Sequence, residues 1–139
     1  MNILIIEDSA TIANIYKTVI SNEIDRRNGT PPAIRIVNST QQWLDIKPTF
    51  TPNIIISDWV LVNDETAEPI ILDAIKTLNV SPSNIAVISG FIYKDDNGSK
   101  HPSDMNTIAL DYGIDCFTKP VASKQIASIL FGRKLMCDK

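Results

Sequence analysis

The sequence predicts an α/β domain built on a doubly wound, five-stranded parallel sheet in the strand order 2-1-3-4-5. Three observations carry that expectation. Five short runs rich in isoleucine and valine recur along the chain. Stretches with helical spacing separate them. A composition of 44% hydrophobic and 21% charged residues is that of a chain able to pack a core. The 139 residues leave room for one such domain, 1–139, and almost none for a second.

The runs are Ile3–Ile6, Ala33–Val37, Ile54–Ile56, Ile85–Ile88 and a weaker one around Cys116 and Phe117. Each is too short for a buried helix, and the first four are rich in isoleucine and valine, as in strands covered on both faces of a parallel sheet. Between the first two, Ile12, Ile15, Tyr16, Val19 and Ile20 recur at three and four, predicting a helix that starts after Ser9, buries those five and ends near Asn28-Gly29. Thr40–Ile46, with Trp43 and Leu44 inward and Pro48 close behind, makes a shorter helix. Pro69 can open a third, with Ile71, Ala74, Ile75 and Leu78 facing the sheet, and Pro82 bars its continuation. Ser103 or Asp104 can cap a fourth helix carrying Met105, Ile108 and Ala109 and ending at Gly113. Ser123 can cap the last, which carries Ile126, Ile129, Leu130 and Arg133. Strands alternating with helices, joined by right-handed crossovers, give a flavodoxin-like (βα)5 sheet whose sites lie at the carboxyl ends of the strands. The polar stretch at about 91–104, including Lys94-Asp95-Asp96-Asn97-Gly98, is longer than an ordinary βα loop and predicts an extended excursion.

Several function classes are disfavoured. A net charge of -3 with sparse basic residues offers no surface for nucleic acid or anionic membrane. Cys116 and Cys137 form no C-x-x-C pair, which argues against a zinc site or a secreted disulfide scaffold and for a reducing compartment. The N-terminus lacks a basic n-region, and no apolar run is long enough to span a bilayer, so a cytoplasmic protein is expected. The single histidine, His101, makes a histidine-based triad or multi-histidine metal site hard to assemble.

The residues that follow the runs carry the chemistry. They are Glu7 and Asp8 after the first, Asp58 after the third, Ser89-Gly90 after the fourth and Thr118-Lys119-Pro120 after the fifth. Three carboxylates on neighbouring strand ends repel one another unless a hard divalent cation lies between them, and octahedral Mg²⁺ suits that donor set. A lysine opposite supplies further positive charge. A hydroxyl followed by glycine leaves a donor and an open backbone N–H beside Asp58, with room for a tetrahedral oxyanion.

Taken together, Ile-Leu-Ile-Ile-Glu7-Asp8-Ser, Ile-Ile-Ile-Ser-Asp58-Trp, Ala-Val-Ile-Ser89-Gly90 and Phe-Thr-Lys119-Pro120 resemble the receiver domains of two-component response regulators, over nearly the whole chain. The resemblance implies that Asp58 is the phospho-accepting nucleophile. It implies that Glu7, Asp8, Asp58 and the backbone carbonyl of Val60 hold Mg²⁺ or Mn²⁺, and that Lys119 contacts the phosphoryl group. Ser89 is implied as the switch hydroxyl, and Lys119-Pro120 as a cis peptide. The partners it implies are a histidine kinase or histidine phosphotransfer protein as donor and a downstream protein as reader. The protein would be a monomer able to dimerise on phosphorylation. It would catalyse its own phosphorylation and dephosphorylation with no separate substrate turnover.

The sequence departs from that family in places. Leu61, Val62 and Thr66 stand where receivers commonly carry a Met-Pro pair and a later glycine, so the loop before the third helix is expected to follow another path. The switch aromatic normally lies three before the lysine, which here is Cys116, whereas Phe117 lies two before it, and either can take the role. Val60 and Phe91, apolar where they flank the attacking water, are expected to slow dephosphorylation. A phosphorylation-independent interaction module on the same fold is the alternative function, against which the intact Asp58, Lys119 and acidic pair argue. An aspartate-nucleophile phosphohydrolase is disfavoured because Glu7-Asp8 lacks a D-x-D spacing.

Overall fold

A computed structural model of the protein describes residues 1–61, 65–89, 110–118 and 123–131. The described elements are β1 (Asn2–Ile6), α1 (Ala10–Arg26), β2 (Ala33–Val37), α2 (Thr40–Ile46), β3 (Ile54–Ser57), α3 (Glu68–Leu78) and β4 (Ile85–Ser89). They continue with α4, described over 110–112, then β5 (Asp115–Thr118) and α5 (Ser123–Phe131). The strands form one sheet in the order β2-β1-β3-β4-β5, and every pairing is parallel. The expected topology therefore stands, and each strand run lies inside or coincides with an observed strand. The 91–104 excursion, Met105, Ile108, Ala109 and Arg133 lie outside the described residues. Among the described residues no helix is long and apolar enough to cross a membrane.

The strand period of two divides the apolar residues between two layers. Leu4, Ile6, Ile55 and Val87 pack with Trp43 of α2 and Ile70, Ile71 and Ala74 of α3. Ile3, Ile5, Ile54, Ile56 and Ile88 pack with Tyr16, Ile20 and Ile24 of α1 and Ile126 and Leu130 of α5 on the opposite face. Helix ends follow local chemistry. Ser9 Oγ accepts from Ile12 N–H at the start of α1, and Ser39 Oγ accepts from Gln42 N–H at the start of α2. α1 stops where Asn28 turns left-handed (φ 56°) and Gly29 N–H returns to Ile24 O. A Cβ on Gly29 would lie 2.8 Å from the Ile24 side chain, so glycine is needed for this close approach.

Three burial expectations are corrected. Ile15 is 54% exposed, because the buried stripe of α1 runs through Ala13, Tyr16, Ile20 and Ile24 and Ile15 lies about 100° round the helix from Tyr16. Leu44 is 49% exposed, since a seven-residue helix turns one narrow face inward and Trp43 fills it. β2 is not covered on both faces. It is an edge strand whose Ala33, Arg35 and Ile36 are exposed, and at the other edge Cys116 and Phe117 of β5 are only half-buried, while Ile3–Ile6, Ile54–Ser57 and Ile85–Ile88 are buried as expected.

Candidate metal and phosphoryl-acceptor site

The ladder continues past the named strands, and this extension builds the site. Ile6 pairs with Ser57, and Asp58 N–H donates to Ile6 O at 2.7 Å, so the residue after β3 is drawn against the end of β1. On the other side of β1, Glu7 N–H donates to Val37 O at 3.0 Å. Glu7 is 2% exposed, Asp58 is half-buried and Asp8 is exposed. Glu7, Asp8 and Asp58 each bring a carboxylate oxygen within 4.8 Å of the others. Unit charges that close repel by roughly 3 kcal/mol per pair at an effective dielectric of about 20, with solvent around Asp8 reducing its share. The donor set, hard oxygens only, fits a small divalent cation far better than a soft metal.

Local bonds orient these groups. Asp8 N–H donates to Glu7 Oε2 at 3.0 Å, and Trp59 N–H donates to Asp58 Oδ1 at 2.8 Å. The fully buried Ser57 hydroxyl donates to Asp58 O.

Beyond Asp58 the chain forms a small hairpin in which Val60 bridges antiparallel to Thr66. Its two bonds are Leu61 N–H to Glu65 O at 2.6 Å and Ala67 N–H to Trp59 O at 2.8 Å. That makes Val60–Thr66 a non-hydrogen-bonded pair, so the Val60 carbonyl points out of the hairpin. Leu61 and Thr66, two of the residues that depart from the receiver pattern, both take part in this pairing. Thr66 also serves the helix start, its Oγ1 accepting from Glu68 N–H.

Of the other expected site residues, Ser89 is the last of β4 and pairs with Thr118 of β5. Lys119, Pro120, Gly90 and Phe91 lie outside the described residues. Cys116 and Phe117 go to different layers. Cys116 packs on the α2–α3 side with Val87, and Phe117 on the α1–α5 side with Ile88. Burial, helped by the nearby Asp115 charge, pushes the Cys116 thiol up to about 11.

Two contributors were missed in the sequence. Glu65 Oε1 accepts from both Thr40 N–H at 3.1 Å and Thr40 Oγ1 at 3.0 Å, tying the hairpin to the start of α2. No local spacing signals this. Trp59, 1% exposed in the core beside the site, was noted only as the residue after Asp58, and its indole N–H has no hydrogen-bond partner among the described residues.

No protein-family model and no curated protein matches the sequence. Solved structures do match. A signal receiver domain from Vibrio parahaemolyticus is 20% identical with a TM-score of 0.64, over 99% of this chain and 93% of that one. A response regulator receiver domain protein from Clostridium thermocellum is 16% identical with a TM-score of 0.67, over 99% and 94%. The signal receiver domain of an HD domain-containing protein from Pseudomonas fluorescens is 18% identical with a TM-score of 0.63, over 99% and 94%. Strand order, parallel pairing and near-complete coverage agree: this chain has the fold of the receiver domains of response regulators.

Proposed function

We propose that the protein is a response-regulator receiver in which Asp58 accepts a phosphoryl group from a phosphohistidine on a histidine kinase or phosphotransfer protein. The phosphorylated form then binds a downstream protein. The observation that carries this reading is the convergence of Glu7, Asp8 and Asp58 within 4.8 Å at the carboxyl ends of β1 and β3. Glu7, Asp8, Asp58 and the Val60 carbonyl are the ligands for Mg²⁺ or Mn²⁺, which when bound neutralises charge on the phosphoryl oxygens.

In the transfer, an Asp58 carboxylate oxygen bonds to phosphorus as the P–N bond of the donor breaks, and the imidazole nitrogen leaves with the electron pair. The Trp59 N–H bond to Oδ1 fixes the carboxylate plane, which favours in-line attack. Lys119 supplies a second positive charge to the phosphoryl group and Ser89 a hydroxyl donor. Water later hydrolyses the acyl phosphate. Apolar Val60 and Phe91 give that water no polar partner and lengthen the lifetime.

Intact-mass spectrometry after incubation with acetyl phosphate and Mg²⁺ tests the reading. The expected result is one added phosphoryl group on the wild type, none on Asp58→Asn and none with chelator. A folded, Mg²⁺-binding wild type that gains no mass from acetyl phosphate or from a phosphohistidine donor would overturn it.

A further inference from the structure

We infer that Glu65 is a positioning residue for the cation site, holding the Val60 carbonyl in place by bolting the hairpin to the first turn of α2. The inference rests on the reading of Glu7, Asp8, Asp58 and Val60 as the ligand set. Glu65 uses both of its acceptors. Its backbone carbonyl takes the Leu61 N–H at 2.6 Å, next to Val60, and its side-chain Oε1 takes two bonds from Thr40 at 3.1 and 3.0 Å. The Thr40 N–H is one of the donors a helix start leaves without an intrahelical partner, and Ser39 already serves another, Gln42 N–H. Glu65 thus satisfies a group that needs an acceptor, at a point fixed by the buried Trp43 three residues on.

The hairpin is held at its other edge by the Ala67 bond to Trp59 O and by Leu61, 3% exposed in the core. Without the Thr40 bonds, Glu65 keeps its ladder bond to Leu61 among the described contacts, and Val60 is the residue between that bond and the Trp59–Ala67 bond. The three carboxylates sit on strand ends whose ladder bonds define them. The Val60 carbonyl points out of the hairpin and depends for its position on the pairing on either side of it, and metal ligands held loosely lose affinity.

The test uses full-length protein with Mn²⁺ as the probe, free ion counted by its electron paramagnetic resonance signal. Amide hydrogen exchange at Leu61 and Ala67 is measured in parallel without metal. Expected for Glu65→Ala is about tenfold weaker Mn²⁺ binding and faster exchange at both amides. Glu65→Gln, whose amide oxygen accepts the same two bonds, should bind within about twofold of wild type. Affinity in Glu65→Ala equal to wild type overturns the inference and leaves the cation site standing, as does lowered stability without lowered affinity. Equal losses in Glu65→Ala and Glu65→Gln also overturn it, because the effect is then one of charge. A wild type that binds no Mn²⁺ removes the site and the inference with it.

Discussion

Asp73 on α3 accepts from the Trp43 indole N–H at 2.8 Å, the Lys47 ammonium at 3.1 Å and the Thr77 hydroxyl at 3.0 Å. Trp43 is fully buried, and a buried N–H left without an acceptor costs about 1–3 kcal/mol, so this carboxylate is what makes the indole tolerable in the core. Burial pushes the Asp73 carboxyl up, but the Lys47, Trp43 and Thr77 hydrogen bonds and the Lys47 charge outweigh it and hold the group below its ordinary 3.8. The unfolded chain then binds the proton more readily than the folded one, so the contribution is complete above about pH 4–5 and fades as pH falls through and below 3.8. Urea midpoints of wild type and Asp73→Asn should differ at pH 6 and converge toward pH 3. A gap independent of pH would show that the charge on Asp73 does not matter. Cys116 moves the other way: with its thiol pushed up to about 11 it stays protonated at neutral pH and is a poor nucleophile, which makes it a packing residue in its layer.

The helices show where a pattern read residue by residue goes astray. In α1 the apolar positions Ile12, Ile15, Tyr16, Val19 and Ile20 cover more of the circumference than the sheet can bury, and the fold selects the stripe centred on Tyr16 and Ile20. Ile15→Lys should therefore change stability by no more than about 0.5 kcal/mol, whereas Ile20→Ala should cost about 2–5 kcal/mol, both by chemical denaturation. A loss above 2 kcal/mol for Ile15→Lys would mean that Ile15 is covered in solution. The sheet itself was legible because the central strands are uninterrupted apolar runs, and Glu7, Asp8 and Asp58 because each lies within two residues of the end of such a run. What the sequence hid is non-local. The exposure of β2 depends on its place at the sheet edge, and the partner of Glu65 lies 25 residues upstream on another element. Thr66 was read as a departure from a glycine, and the hairpin that follows from it needs the Trp59–Ala67 and Leu61–Glu65 bonds to be seen together.

At the scale of the whole molecule, the site lies where the winding of the sheet reverses. β1 has β2 on one side and β3 on the other, so the connections leaving their carboxyl ends run to opposite faces and open a crevice between them. Glu7, Asp8 and Asp58 line that crevice, directly above the most deeply buried strands. The fold therefore gathers three like charges at one point, and their mutual repulsion opposes the metal-free folded state. Asp58→Asn keeps an oxygen acceptor for the Trp59 N–H and removes one of the three charges, so in chelator it should unfold at a higher urea concentration than wild type, by about 1 kcal/mol or more. A cation that binds only the folded state stabilises by mass action, about 1.4 kcal/mol at ten times its dissociation constant. Mg²⁺ at that level should raise the wild-type midpoint and leave Asp58→Asn nearly unmoved, narrowing or reversing the order seen in chelator. A wild type already more stable than Asp58→Asn without metal would mean that positive charge within the protein compensates the three carboxylates unaided, and the cation would then serve the phosphoryl group and not the fold.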